Sequence, residues 1–369
     1  MAVVKQRSVV FTTAASEPTL ITKDLDLDNC YKEDEIVIHV KCCALNPIDV
    51  LVHGLSNRLV AGTGPKTFSR DFSGVIVRKG KNVDKKWNID DEVNGMFQHL
   101  YGEQGTFSDY FIMNPAKNKS IGHINKFPDN TLHYNEDDKR DDWALNAAYP
   151  LIFGTAETVL LDYVKNMGPE SRILVIGAST QVSNALVQIA KNDLNIGTLV
   201  GVCNENSFEY NNKFGWDHLV SYNGGKTVEN VRKLMKTELN NQKFDLIFDS
   251  VGNSEFFPII DEFLKPKSEG SYFVTVVGDN KSDYKTPSFF KAISISTITR
   301  FVNPFRCYNY SFAHVLPIDR YMIRAHKMIA DKRYEPIIDH IYELDQYREA
   351  IDRLKSNRAK GKVVIRINE

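Results

Sequence analysis

Cysteine is scarce in this chain, and what there is lies scattered: Cys30, Cys42, Cys43, Cys203 and Cys307 in 369 residues. So low and odd a count excludes a disulfide framework and suits a reducing compartment, and no four cysteines stand close enough to build a structural zinc lobe. The adjacent Cys42-Cys43 invites a redox reading, but it sits in the apolar run His39-Val40-Lys41-Cys42-Cys43-Ala44-Leu45. Both thiols are therefore expected in the core of a strand. Excess charge is missing too: 46 Lys+Arg against 47 Asp+Glu leave a formal net charge of −1, which offers nucleic acid no electrostatic footprint. No stretch approaches the ~18 to 20 apolar residues of a membrane span. The opening Met1-Ala2-Val3-Val4-Lys5-Gln6-Arg7-Ser8-Val9-Val10-Phe11 runs into a strand pattern rather than a signal peptide. Cytosol is the expected location.

What is present is the composition of a soluble globular protein, 42% hydrophobic and 25% charged, in a chain long enough for two domains. Up to about residue 125, Gly, Pro and Asn punctuate short Val/Ile/Phe runs, which predicts a β-rich domain with few helices. The charged stretch Asp129 to Asp142 reads as a solvated loop. From Ala147 the texture changes. Ser171-Arg172-Ile173-Leu174-Val175-Ile176-Gly177 is an apolar run ending in glycine, Val182, Ala185, Leu186, Ile189 and Ala190 follow at helical spacing, and Thr198-Leu199-Val200-Gly201-Val202-Cys203 comes next. Strand, helix and parallel strand make the βαβ unit of a dinucleotide-binding sheet. Further strands end at Tyr222, at Asp249-Ser250-Val251-Gly252 and at Val276-Val277-Gly278, and ligands sit at such carboxyl edges. The stretch Phe289 to Tyr310 is apolar without a clean period. It reads as a lid or dimer-edge segment, with attachment to a lipid or organelle surface as the minority reading, since only Lys291, Arg300 and Arg306 supply positive charge.

The series Ala44-Leu45-Asn46-Pro47-Ile48-Asp49, Arg70-Asp71-Phe72-Ser73-Gly74-Val75, Gly80-Lys81-Asn82-Val83 and Asp90-Asp91-Glu92-Val93-Asn94-Gly95 resembles the GroES-like catalytic domain of the medium-chain dehydrogenase/reductase superfamily. Gly177-Ala178-Ser179-Thr180-Gln181-Val182-Ser183, with Phe248-Asp249-Ser250-Val251-Gly252-Asn253 and the closing Gly361-Lys362-Val363-Val364-Ile365, is similar to the zinc-free quinone oxidoreductase and enoyl reductase branch. The resemblance implies an α/β fold: a GroES-like β-rich catalytic domain over residues 1–146, completed by 315–369, and a Rossmann doubly wound parallel sheet over 147–314. Zinc relatives place a cysteine just before the helix that here begins near Pro47, and a His-Glu pair where this chain has Arg70-Asp71. No metal is expected.

The resemblance further implies hydride transfer from NADPH to a quinone or an α,β-unsaturated carbonyl. Relatives read G-A-x-G-G-V-G in the phosphate turn, so that backbone amides approach the pyrophosphate. Here Gly177 is kept, while Thr180, Gln181 and Ser183 replace the next three glycines. Two readings stay open: a dinucleotide held slightly farther out with the Thr180 hydroxyl as an added donor, or an eroded site in a fold retained for binding or regulation. The second strand ends in Cys203-Asn204 rather than an acid, which disfavours NADH. The branch's 2′-phosphate positions fall on Cys203, Ser207 and Tyr222, of which only the tyrosine survives; Glu205 would repel a phosphate, and Arg358 is a candidate cation. Thr155 is expected near the nicotinamide, with Val276, Val277 and Gly278 on the ring's other side. The candidates for substrate and proton handling are Asn46, Asp49, His53 and Asp71, His53 reading as exposed-loop material as readily as a catalytic acid and Asp71 chiefly as a tie between its strand and the Asn46 helix. A homodimer through edge strands is implied only by analogy.

Overall fold

The structure is a computed structural model that describes residues 2–99, 101–128, 140–281, 283–285, 295–303 and 305–368. The chain divides into two units: one runs to Leu151 and takes in Tyr284 and everything from Leu316, and the other comprises Ile152–Asp283 and the stretch ending at Val315.

The first unit is built from β1 (Val3–Phe11), β2 (Thr19–Asp26), β3 (Ile36–Leu45), β4 (Lys66–Thr67), β5 (Asp71–Lys79), β6 (Glu92–Met96), β7 (Tyr110–Met113) and β8 (Ile121–His123). Its early helices are α1 (Pro47–Leu55), α2 (Arg58–Ala61) and α3 (Asp142–Ala147). Strand β3 is apolar on both faces because both are covered. Cys43 lies in the main core with Val40, Phe72, Phe111 and Ile365, while Cys42 lies in a second cluster with Ala144, Ala148 and Val364. Burial pushes both thiols well above the usual cysteine range, as strand-core residues require. Asp141, at the end of the charged stretch, caps α3 by accepting from the Ala144 amide at 2.8 Å. The rest of that cluster, 129–139, lies outside the described residues.

The second unit contains most of α4 (Pro150–Leu161), then β9 (Arg172–Ile176), α5 (Gln181–Asn192), β10 (Thr198–Cys203), α6 (Phe208–Asn211), β11 (His218–Ser221), α7 (Thr227–Thr237), β12 (Leu246–Asp249), α8 (Ile260–Phe263), β13 (Tyr272–Thr275), α9 (Ile295–Val302) and β14 (Asn309–Phe312). All six strands pair in parallel in the order β11-β10-β9-β12-β13-β14. Numbered within the unit this is 3-2-1-4-5-6, the doubly wound order whose switch point lies between its first and fourth strands, here β9 and β12. The stretch expected to be aperiodic holds a helix, α9, where its described residues begin. Thr297 faces inward, its Oγ1 accepting from the Asp279 amide at 3.1 Å, Arg300 pairs with Asp279 at 2.7 Å, and Ile295, Phe301 and Val302 are exposed. Periodicity was obscured because the apolar residues lie on the outer face; positions 286–294 and 304 lie outside the described residues.

The chain then returns to the first unit through α10 (Arg320–Ala330), β15 (Ile338–Glu343), α11 (Tyr347–Lys355) and β16 (Lys362–Arg366). Strand β16 pairs antiparallel with β3, from Val363 opposite Leu45 to Arg366 opposite Cys42, and so completes the sheet β15-β16-β3-β5-β6-β8. Among the described residues no helix is long and apolar enough to cross a membrane.

Candidate functional site

In the first unit the polar candidates converge where β3, α1, β5 and β16 meet. Asn46 follows β3 and is the N-cap of α1, with Pro47 in the first helical turn, and its backbone amide donates to Asp49 Oδ2 at 2.8 Å. Ser69, just before β5, adopts φ +70°, a left-handed conformation that costs a serine on the order of 1–3 kcal/mol. Its surroundings hold it there: Oγ donates to Ala44 O at 2.9 Å, and its carbonyl accepts from His99 Nε2 at 3.0 Å. That turn aims the next two side chains. Arg70 pairs with Asp49 and donates to His99 O at 2.8 Å, and Asp71 reaches back to Asn46.

Asp71 is wholly buried and fully engaged. Oδ1 accepts from the Leu151 amide at 2.9 Å; Oδ2 accepts from Asn46 Nδ2 at 2.9 Å and from Lys362 Nζ at 2.9 Å. Lys362 also donates to Asn46 Oδ1 at 2.7 Å. Since lysine can only donate, the atom facing it must be the carboxamide oxygen, and the nitrogen faces Asp71. Asn46 Nδ2 spends its second hydrogen toward Ala44 O at 3.4 Å, so the remaining capacity of Asn46 is one oxygen lone pair. It is left as an acceptor. Lys362 was not singled out in the sequence, although a lysine at the head of the apolar strand Lys362-Val363-Val364-Ile365 carries a signal: a buried charge demands a partner.

The other two candidates differ from expectation. Burial pushes the Asp49 carboxyl up, with Arg70 and the Asn46 amide pulling the other way, and its oxygens are taken by those groups. His53, expected on an exposed loop or as an acid, is buried on α1 against the rings of Phe11 and Phe68. Its Nε2 lies 2.9 Å from Ser16 O, which can only accept, so Nε2 carries the proton and spends it there. Burial lowers its pKa, so the ring stays neutral and carries no second proton to give. His99, unremarked in the sequence, is held neutral more strongly: burial, aided by Arg70, lowers it to about 4.

In the second unit the turn between β9 and α5 lies at the carboxyl edge of the sheet. Gly177 has φ +96°, and a Cβ there would meet Ser250 Oγ and Val251 Cγ1 at 2.5 Å, so only glycine fits. Ala178 is buried, its amide donating to Val202 O at 2.9 Å. Thr180 is the N-cap of α5: Oγ1 accepts from the Ser183 amide at 3.3 Å and lies 2.9 Å from Ser183 Oγ and 3.0 Å from Ser250 Oγ. Its single hydrogen is directed into this hydroxyl cluster, which corrects the expectation of a Thr180 donor toward phosphate. The amides of Gln181 and Val182, in the first turn, have no carbonyl one turn behind them. Both polar atoms of the Gln181 side chain are shielded from solvent without a hydrogen-bond partner among the described residues. A left-handed glycine, first-turn amides and a parallel-sheet edge fit the pyrophosphate of a dinucleotide.

Around this turn, Asp249 accepts from the amides of Val251, Gly252 and Asn253 at 2.7–3.0 Å and so shapes the loop that carries Ser250 and Val251. Burial nevertheless raises it to about 7. After β13, the Val277 and Gly278 amides both donate to Thr275 Oγ1, leaving Val276 and Val277 half-buried. Thr155 is buried on α4. At the end of β10, Cys203 is buried and its thiol is pushed up to about 11; Asn204 spends its side-chain oxygen on the Asn206 amide at 2.9 Å. Ser207 offers its carbonyl to Asn211, and Tyr222 is about half exposed. Arg358, exposed, belongs to the first unit, so the candidates are not one cluster within either unit.

Residues 32–121 match the alcohol dehydrogenase GroES-like domain, and residues 214–365 match the family described as zinc-binding dehydrogenase. Protein YIM1 of Candida glabrata is 63% identical over 368 residues, spanning 99% of this chain and 100% of that protein. Among solved structures, the quinone oxidoreductase from Coxiella burnetii superposes with a TM-score of 0.72 at 16% identity, covering 99% of this chain and 100% of that one. CurK enoyl reductase gives 0.71 at 17%, covering 98% and 99%.

Two outcomes test the first-unit network. Lys362→Met leaves Asp71 buried and uncompensated, which should cost about 3–5 kcal/mol in denaturant unfolding. Adding Asp71→Asn should recover part of that loss; simple additivity of the two single losses would show that the pair is not coupled. His99 binds its proton at about pH 4 when folded and about 6.5 when unfolded, so the unfolded chain holds more protons between those values. Stability should fall as pH drops through that window, and His99→Gln should flatten the fall measured between pH 7 and 5.

Proposed function

The chain belongs to the medium-chain dehydrogenase/reductase superfamily, close to the yeast Yim1 proteins, and from that premise we propose that it is a zinc-independent, NADPH-dependent reductase of quinones or α,β-unsaturated carbonyls. The observation that carries the reading is the β9–α5 turn, a left-handed glycine followed by the Gln181 and Val182 amides, which have no acceptor within their helix, at the switch edge of a 3-2-1-4-5-6 parallel sheet. The quinone oxidoreductase and enoyl reductase likenesses support the substrate class as analogy.

Zinc independence is supported by what occupies the ligand positions. Arg70 places a guanidinium there, and Asp49 and Asp71 are already neutralised by Arg70 and Lys362. A dication would have to displace buried cations.

When bound, the nicotinamide supplies the hydride that reduces the acceptor. The chain's own part is to hold and orient. The Gln181 and Val182 amides and the start of α5 bind the pyrophosphate, and the carboxylate-free end of β10, with Tyr222 at the end of β11, admits a 2′-phosphate. Thr155 and the Val276-Val277-Gly278 turn flank the nicotinamide. Asn46, with only a lone pair to offer, accepts a hydrogen bond from ligand N–H or O–H. His53 and Asn46 have spent their hydrogens and the two aspartates are ion-paired, so water delivers the product's proton.

A second reading keeps the fold for binding or regulation, and the shielded Gln181 side chain in the phosphate turn favours it. Fluorescence titration with NADPH and NADH, followed by turnover with a quinone and an enone, separates the two. NADPH should bind modestly tighter than NADH and be oxidised by at least one acceptor; absence of binding by either dinucleotide rejects the reductase. Thr180→Gly with Gln181→Gly should tighten NADPH about tenfold, roughly 1.4 kcal/mol, by clearing two side chains from the helix start.

A further inference from the structure

Asn211, the last residue of α6, is wholly buried, and its Nδ2 lies 2.8 Å from Ser179 Oγ and 2.8 Å from Ser207 O. A backbone carbonyl only accepts, so the group facing Ser207 is the NH2, and its second hydrogen goes to Ser179. Ser179 Oγ is thus the acceptor in that bond, and its own hydrogen is left to donate elsewhere. Beside it lies the buried Cys203 thiol, which Ser179 and Asn211 both approach. Sulfur is a weak acceptor. A better acceptor arriving at this point would capture the Ser179 hydrogen.

The position matters because Ser179 follows β9 and sits against the end of β10, where the Ala178 amide bonds Val202 O at 2.9 Å. In doubly wound folds the residue at the end of the second strand meets the adenosine ribose. Here that end offers no reader of its own: Cys203 is buried, and Asn204 has spent its oxygen on the Asn206 amide. We propose that Ser179, positioned by Asn211, reads the ribose 2′ substituent of the dinucleotide as a donor to a 2′-phosphate oxygen. The proposal rests on the dinucleotide reading above and adds the residue that selects within it. A phosphate oxygen is an accepting, charged partner for a hydroxyl whose hydrogen is still to be given, and such charge-assisted bonds are stronger than neutral ones.

Calorimetric titration of the full-length protein with adenosine 2′,5′-bisphosphate and with 5′-AMP tests it without any turnover. Wild type should favour the bisphosphate. Ser179→Ala should weaken the bisphosphate about tenfold, the size of one charge-assisted hydrogen bond, and leave 5′-AMP unchanged; Ser179→Thr, which keeps the hydroxyl, should restore the preference. Asn211→Ala should lower the ratio of the two affinities by a smaller factor, a ratio that loss of folded protein does not move. An unchanged ratio in Ser179→Ala overturns the assignment while leaving the dinucleotide site standing. Failure of wild type to bind either probe overturns the dinucleotide reading itself, and this proposal with it.

Discussion

The ion pair between Lys362 and Asp71 is the constraint around which the first unit is arranged. It joins residues 291 apart in sequence, the head of β16 and the start of β5, on either side of β3. Neither side chain reaches solvent, so each charge depends on the other and on Asn46. Buried pairs of this kind add little net stability compared with an apolar replacement, but losing one partner is severe. The consequence is registry: β16, β3, β5 and α1 are all tied to one buried point.

Much of the architecture was legible because its signals are local. The βαβ unit was readable from Ile173–Ile176, Gly177 and the helical spacing after Val182, and Cys42 and Cys43 from an apolar run that is buried on both faces. The networks were not, because hydrogen-bond partners are set by tertiary contact. A lysine opening an apolar strand does not announce an aspartate 291 residues earlier. His53 looked like loop material because the ring's neighbours, Phe11, Ser16 and Phe68, are remote in sequence. Helix α9 was obscured for the opposite reason: its apolar side chains are mostly outside, so the usual inward stripe is missing.

The phosphate turn shows how a glycine-rich loop can be rebuilt with hydroxyls. Glycine persists only at position 177, where φ is +96° and Ser250 and Val251 leave no room for a Cβ. Elsewhere Thr180, Ser183 and Ser250 bond to one another within 3.3 Å, so the hydroxyls saturate each other instead of facing outward. The turn gains rigidity while the Ser183 amide is spent on the cap. Binding capacity therefore shifts to the Gln181 and Val182 amides and to the dipole of α5.

The same logic governs both units. Polar groups withdrawn from water are satisfied by one another, and that mutual satisfaction dictates which capacity is left over. Around Asn46 two cations and two carboxylates use up each other's charge, and a single oxygen lone pair remains. Around Ser179 a carboxamide fixed by the Ser207 carbonyl donates to the hydroxyl oxygen, and the hydroxyl hydrogen is left to be given. Residue type alone would allow Asn46 to donate to a ligand and would leave the direction of the Ser179 hydroxyl unset. It is the partner behind each side chain, a lysine in one case and an asparagine in the other, that orients it and sets which group it turns to a ligand.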